Sequence, residues 1–291
     1  MPQDDVEFKF TLCDVFATQA YSGNSLAVFM DNDPLSSAQM LTMTQELRHF
    51  ESIFISEENS RLKARIYDLF EELPFAGHPI IGAACCLHRR AGVDWPQNWV
   101  FDLAGDRSVT VKTIYEEGHY IGTLDQGRPD FLSTVPDSAK GEIAGAFNLR
   151  LEDISPLPLE VISTGLKYLV VPVTGGLETA RITMRDLEEK LAQLGAEFAY
   201  LIDVNRFEGR HWNNDGIVED IATGSAAGVV GAYALRHGLV QAETPFILRQ
   251  GHFIGRPSEI RIEVFGTSQD VTKVTVSGAV AFVGRGEVVA P

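Results

Sequence analysis

Two short stretches of the chain set a glycine and a polar side chain at the front of an apolar helix. The first is Gly77-His78-Pro79, within ELPFAGHPIIGAA at 72–84. The second is Thr223-Gly224-Ser225, within EDIATGSAAG at 219–228, with Asp220 just upstream. A helix N-terminus leaves N–H groups without intrahelical partners and carries partial positive charge. A glycine there lets a ligand approach the backbone closely. Two such mouths facing one another would clamp a small anion such as a carboxylate. Glycines at helix starts also occur where nothing binds, and the pattern alone leaves both readings open. His78 is either a packed imidazole or a proton relay working near neutral pH. Asp220 and Ser225 offer a carboxylate and a hydroxyl at the second mouth. A further candidate is Glu51, in HFESIFIS, between a helix and an apolar strand. A carboxyl partly buried there would have its pKa raised toward the range useful for general acid/base work. The plainer reading is a solvated turn glutamate.

The elements that must position these residues alternate between strand-like and helix-like pieces. Strands are expected at 8–17, 25–30, 52–56, 62–70, 99–103, 107–115 and 120–125, then at 159–162, 168–173, 198–204, 205–212, 246–250, 259–265 and 271–283. Helical spacing covers 36–50, where Met40, Met43, Leu47 and Phe50 share a face and Ser36 or Ser37 can cap. Further helices are expected at 79–91, ended by Gly92, at 141–147, at 184–194, closed by Gly195, and at 223–237. There is no regular βαβ run and no GxGxxG, which argues against a Rossmann fold. GxSxG is absent too, so a serine hydrolase has little support. The segment 72–93 is echoed 147 residues later at 219–240, with Gly77 over Gly224, His78 over Ser225 and Arg89 over Arg236. A period near half the chain suggests two lobes built alike.

Charge and composition narrow the partners. Twenty-four basic against 40 acidic residues leave a net charge of −16. This argues against nucleic acid and anionic membrane as partners, yet allows an anionic substrate held by backbone N–H groups. No apolar run is long enough to span a bilayer. The three cysteines, Cys13, Cys85 and Cys86, form neither a disulfide framework nor a metal-ligand spacing, which fits a reduced, cytoplasmic setting.

Taken together, five segments resemble one family. They are DVFATQAYSGNSLAVF (14–29), the Glu51-Ser52-x-Phe54 segment, LPFAGHPIIGAA (73–84), EDIATGSAAG (219–228) and QGHFIGRPS (250–258). In this order they resemble the PhzF-like, or phenazine-biosynthesis-like, family of the diaminopimelate epimerase fold superfamily, nearly end to end. The resemblance implies an α+β fold of two similar lobes, each a curved, mostly antiparallel sheet wrapped around a central helix, with a cleft between them. The lobes would be 1–117 plus 279–291, and 118–278. It implies a homodimer, no cofactor and no metal. It also implies a one-carboxylate isomerase acting on a small carboxylic acid. In that reading Glu51 shuttles the proton, with His78, Asp220 and Ser225 around it, and Gly77, Thr223 and Gly224 hold the substrate. Epimerases of the superfamily use two thiols at the helix mouths. Here those places hold His78 and Ser225, while Cys85 and Cys86 fall inside the first helix. The chain departs from the family pattern at Ile221, where proline is usual, and in 206–220, which lacks a Phe-x-Pro element. Two rival readings remain: an epimerase or racemase using Glu51 and His78, and a protein that binds a small anionic metabolite without turnover.

Overall fold

The computed structural model describes residues 6–30, 35–105 and 107–291. The chain forms two units, Met1–Asp125 with Ser277–Pro291, and Gln126–Val276. The strands are β1 (Glu7–Val15), β2 (Asn24–Met30), β3 (Glu51–Glu58), β4 (Arg61–Tyr67), the short β5 (Glu72–Leu73), β6 (Gln97–Asp102), β7 (Ser108–Glu116), β8 (His119–Gly127), β9 (Asp130–Val135), β10 (Leu159–Ser163), β11 (Lys167–Val173), β12 (Phe198–Asp203), β13 (Glu208–Arg210), β14 (Phe246–Gln250), β15 (Ser258–Gly266) and β16 (Val271–Val289). The helices are α1 (Ser37–Leu47), α2 (Gly77–Ala91), α3 (Lys140–Ala146), α4 (Leu187–Leu194) and α5 (Gly224–Arg236). The fold is sheet-rich α+β. No helix among the described residues is long and apolar enough to cross a membrane.

In the first unit the strand order β1-β2-β3-β4-β6-β7-β8-β16 closes on itself, because β1 pairs with both β2 and β16. The curved sheet expected here is a closed ring of eight strands. Strand periodicity sorts its side chains. Ala27, Phe29, Phe54 and Tyr67 join Met40 and Met43 of α1 in one cluster. Leu26, Ile53 and Ile66, one residue out of step, face the other way. On that second face lies α2, buried from Gly77 to His88. Its close approach needs a missing side chain: a Cβ on Gly82 would sit 2.5 Å from Leu26 Cδ2. Gly92, at φ 65°, ends the helix by accepting the left-handed conformation.

In the second unit the order β16-β15-β14-β13-β12-β11-β10-β9 stays open, with β11–β12 and β13–β14 parallel and β9–β10, β10–β11, β12–β13 and β14–β15 antiparallel. Alternation again separates two faces. Leu159, Val161, Leu169, Val171, Ala199 and Leu201 pack with Ile143 and Phe147 beside Leu187 and Leu191. Glu160, Tyr168 and Tyr200 point to the opposite face, where α5 lies against β10, β11 and β15. The sheet of this unit is therefore layered by helices on both sides instead of wrapping a single one.

Several expected boundaries move for local reasons. β4 stops at Tyr67 because Asp68 Oδ1 accepts from Phe70 and Glu71 N–H, making a turn of the segment assigned to strand. The strand expected at 205–212 shrinks to Glu208–Arg210, since Asp203 Oδ1 accepts from Asn205 and Arg206 N–H. The helix expected from 184 begins at Leu187. β9 has no counterpart among the expected strands, and β16 runs six residues beyond 283.

Candidate functional site

Glu51 opens β3, directly after α1 ends at Arg48 in the left-handed conformation (φ 53°). Its place in the alternation puts it with Ile53 on the face toward α2. The partner there is His78, the second residue of α2: His78 Nε2 lies 3.6 Å from Glu51 Oε2, and both side chains are about nine-tenths buried. Asn24, fully buried on the matching face of β2, places its amide nitrogen 3.5 Å from His78 Nδ1. An amide donating to Nδ1 leaves the imidazole proton on Nε2, aimed at Glu51.

The turn before Asn24 is built tightly. Gly23 has φ 67°, and a Cβ on it would lie 2.5 Å from Val15 O. Asp14 Oδ2 accepts from Tyr21 N–H at 2.6 Å, closing the same turn. The Gly-Asn turn in the sequence is therefore what delivers Asn24 to His78. Asn24 was not among the residues expected at the site, and its only sequence signal was its place in that turn.

At the front of α2 the N-cap is Ala76, which has no side-chain oxygen to accept from the first turn. α1 makes the contrast plain, since Ser36 and Gln39 there form a reciprocal capping box. The front of α5 is likewise without a side-chain cap, although its N-cap is a threonine. The Thr223 hydroxyl is committed elsewhere: it donates to Asp220 Oδ2 at 2.6 Å. Ser225 Oγ is hydrogen-bonded to the Tyr168 hydroxyl at 2.8 Å. Gln126 Nε2 donates to Gly224 O at 2.8 Å, and Thr164 Oγ1 to Ser225 O at 3.3 Å. The second unit thus gathers Asp220, Thr223, Gly224 and Ser225 at one helix mouth, and the first gathers Glu51, Gly77 and His78 at another.

His211 adds to the second group, although no motif in the sequence marks it. Its buried ring meets Tyr168 edge-on, with centroids 5.6 Å apart, and Nδ1–H donates to Ala199 O at 2.9 Å. Burial holds its pKa below the ordinary imidazole value, against an upward pull from Asp220. Just before Asp220, Glu219 pairs with Arg210 through two hydrogen bonds of 2.8 and 2.7 Å. Arg210 also donates to Leu177 O and Ala180 O, and stacks on Trp212.

Other features carry no comparable chemistry. A cavity of about 870 Å³ in the first unit is lined by Arg61, Lys63, Arg65 and Arg107, and includes neither Glu51 nor His78. Three of its cations are paired, Arg61 with Asp102, Lys63 with Glu58 and Arg65 with Glu72. No cluster of three or more His, Cys, Asp or Glu among the described residues is placed to hold a metal ion. Cys13, Cys85 and Cys86 are all buried; burial pushes the Cys85 thiol up, and a hydrogen bond to Cys86, with burial, does the same for Cys13.

Comparison with known proteins places the chain in a family. The model of the phenazine biosynthesis-like protein family (PhzC-PhzF) matches residues 13–286. The solved structure of a predicted epimerase from Pseudomonas aeruginosa is 43% identical, with a TM-score of 0.90, covering 98% of this chain and 100% of that one. The trans-2,3-dihydro-3-hydroxyanthranilate isomerase of Pseudomonas fluorescens is 30% identical over 96% of this chain and 99% of its own length. An uncharacterized isomerase of Escherichia coli, YddE, is 29% identical over 94% of this chain and 96% of its own.

Proposed function

The chain is an isomerase of the phenazine biosynthesis-like (PhzC-PhzF) family, and we propose that it moves a proton between carbons of a small unsaturated or cyclic carboxylic acid, with Glu51 as the acid/base and no cofactor. The observation that carries this reading is the buried Glu51–His78 pair, 3.6 Å apart at the uncapped front of α2. A carboxylate out of water, beside an imidazole, is suited to take a proton from carbon and return it to another carbon of a conjugated system. N–H groups at the front of α2, beginning at Gly77, hold the substrate carboxylate and stabilise charge as it develops. His78 is assigned to the second proton, and Asp220, Thr223, Gly224 and Ser225 to substrate binding.

The test uses trans-2,3-dihydro-3-hydroxyanthranilate, the compound named for the Pseudomonas fluorescens relative, and a mixed metabolite extract, each incubated with the protein in D₂O. Mass spectrometry reads deuterium entering carbon. Labelling by the wild type and its loss in Glu51→Gln support the proposal. Equal labelling by both proteins overturns the role of Glu51.

A second reading is favoured by the 43% identical structure, which is described as a predicted epimerase. Glu51 and His78 would then act in place of two thiols at one stereocentre, which requires them to part from their 3.6 Å approach to admit a carbon between them. Deuterium confined to that stereocentre, with inversion, selects this reading; deuterium at a different carbon from the one deprotonated selects the isomerase. Ligand binding that survives Glu51→Gln, with no turnover by either protein, points instead to a binding role. The proposal also carries a homodimer, which a monomeric sedimentation mass would overturn.

A further inference from the structure

We propose that Gln250, at the end of β14, is a positioning residue that sets the direction of hydrogen bonding at Asp220. The inference rests on the isomerase reading for its consequence, though not for its geometry. Gln250 is fully buried, and its amide is saturated. Oε1 accepts from Thr223 N–H at 3.0 Å and from the Tyr200 hydroxyl at 2.9 Å. Nε2 donates to Asp220 O at 2.8 Å and to Thr223 Oγ1 at 2.9 Å.

These partners allow one amide orientation. The Asp220 carbonyl can only accept and the Thr223 N–H can only donate, so a flipped amide would face like against like at both. The orientation then dictates the next link. Thr223 Oγ1 receives a hydrogen from Gln250, so its own proton is directed to the remaining partner, Asp220 Oδ2, at 2.6 Å. One buried amide thus orients a carboxylate it does not touch. The same commitment explains why Thr223 does not cap α5: its oxygen faces back toward Asp220 instead of forward over the first turn.

The chain is shaped to bring this amide in. Gly251 follows with φ 78°, and a Cβ there would lie 2.2 Å from Arg256 O and 2.7 Å from Ile221 O. Only glycine lets the end of β14 lie this close to the segment that carries Asp220. Ser258 Oγ ties the same segment through Ile221 O at 3.3 Å.

Gln250→Glu is the discriminating variant. It is nearly isosteric and keeps an oxygen for Thr223 N–H and the Tyr200 hydroxyl, but loses both donations. The expected result is a turnover number lower by about ten- to a hundredfold with KM within about threefold of wild type. Adding Thr223→Val to Gln250→Glu should cost less than the sum of the two single losses, because part of each acts through one link. Amide exchange in 219–225 should quicken by about tenfold or more in Gln250→Leu while the rest of the sheet stays protected. Wild-type turnover in Gln250→Glu, or strictly additive losses with Thr223→Val, overturns the positioning role. Unchanged exchange in Gln250→Leu overturns the clamp itself. A wild-type protein that turns over no acid defeats the isomerase reading, and the exchange measurement still decides the clamp.

Discussion

His78 Nε2 faces Glu51 Oε2 across 3.6 Å, in a place where both side chains are nearly shut off from solvent. The separation is within ion-pair reach but longer than a formed N–H···O hydrogen bond, which spans up to about 3.2 Å. Catalytic hydrogen bonds often tighten only when ligand binds. Glu51→Gln should therefore lower carbon labelling in D₂O by about 10²–10⁴-fold while leaving the urea midpoint close to that of wild type. Loss of folding in place of loss of labelling would make Glu51 a structural residue.

The Tyr168–Ser225 hydrogen bond at 2.8 Å should behave as a unit. Tyr168→Phe and Ser225→Ala are each expected to cost about 1 kcal/mol in urea unfolding. The double variant should cost clearly less than their sum. Strict additivity would show that the two hydroxyls do not depend on one another.

Gly23→Ala should destabilise by more than about 2 kcal/mol, through left-handed strain and the 2.5 Å approach to Val15 O. Turnover should fall as well, because the same turn delivers Asn24 to His78. An unchanged melting curve would mean that the turn relaxes freely.

Arg210→Ala leaves Glu219 buried without its cation and removes donors to Leu177 O and Ala180 O. Breaking such a pair costs about 3–5 kcal/mol. Denaturant melts that shift by under about 1 kcal/mol would show the pair to be dispensable.

His211 gives a pH signature. Its folded-state pKa is depressed, chiefly by burial, so in the unfolded chain it takes up a proton that the folded chain refuses. Its contribution is fully present above the unfolded value of about 6.5 and is lost as pH falls below it, by at most about 1.4 kcal/mol per pH unit. Melts between pH 7.5 and 5 should show wild type losing stability faster than His211→Phe. Parallel curves would mean that His211 is protonated as easily folded as unfolded.

How far the sequence speaks depends on the range of the forces involved. The back of α2 was readable because Gly92 acts within one turn of itself, whereas the front begins at Gly77, two residues ahead of the expected Pro79. Glu51, His78, Asp220 and Ser225 were legible as candidates through their motifs, and the structure sets Glu51 against His78 and Asp220 against Thr223. β9 was not legible: DFLSTV lacks a clean alternation, and it becomes a strand by pairing with β10, more than twenty residues away. Closure of the first ring depends on β1 meeting β16 across nearly the whole chain. Gln250 and His211 acquire their partners only through the folded sheet, and no local spacing announces contacts of that kind.

The contrast among the three longer helix fronts bears on engineering. α1 closes its own front with Ser36 and Gln39, whereas α2 and α5 leave theirs without side-chain caps. A missing cap forgoes about 1 kcal/mol, so the front of α2 is a place where heat resistance could be added. Ala76→Asp is the obvious choice, and it would set a resident carboxylate where the proposed function seats the substrate's own. Thermostability selected at that position would be expected to arrive together with self-inhibition.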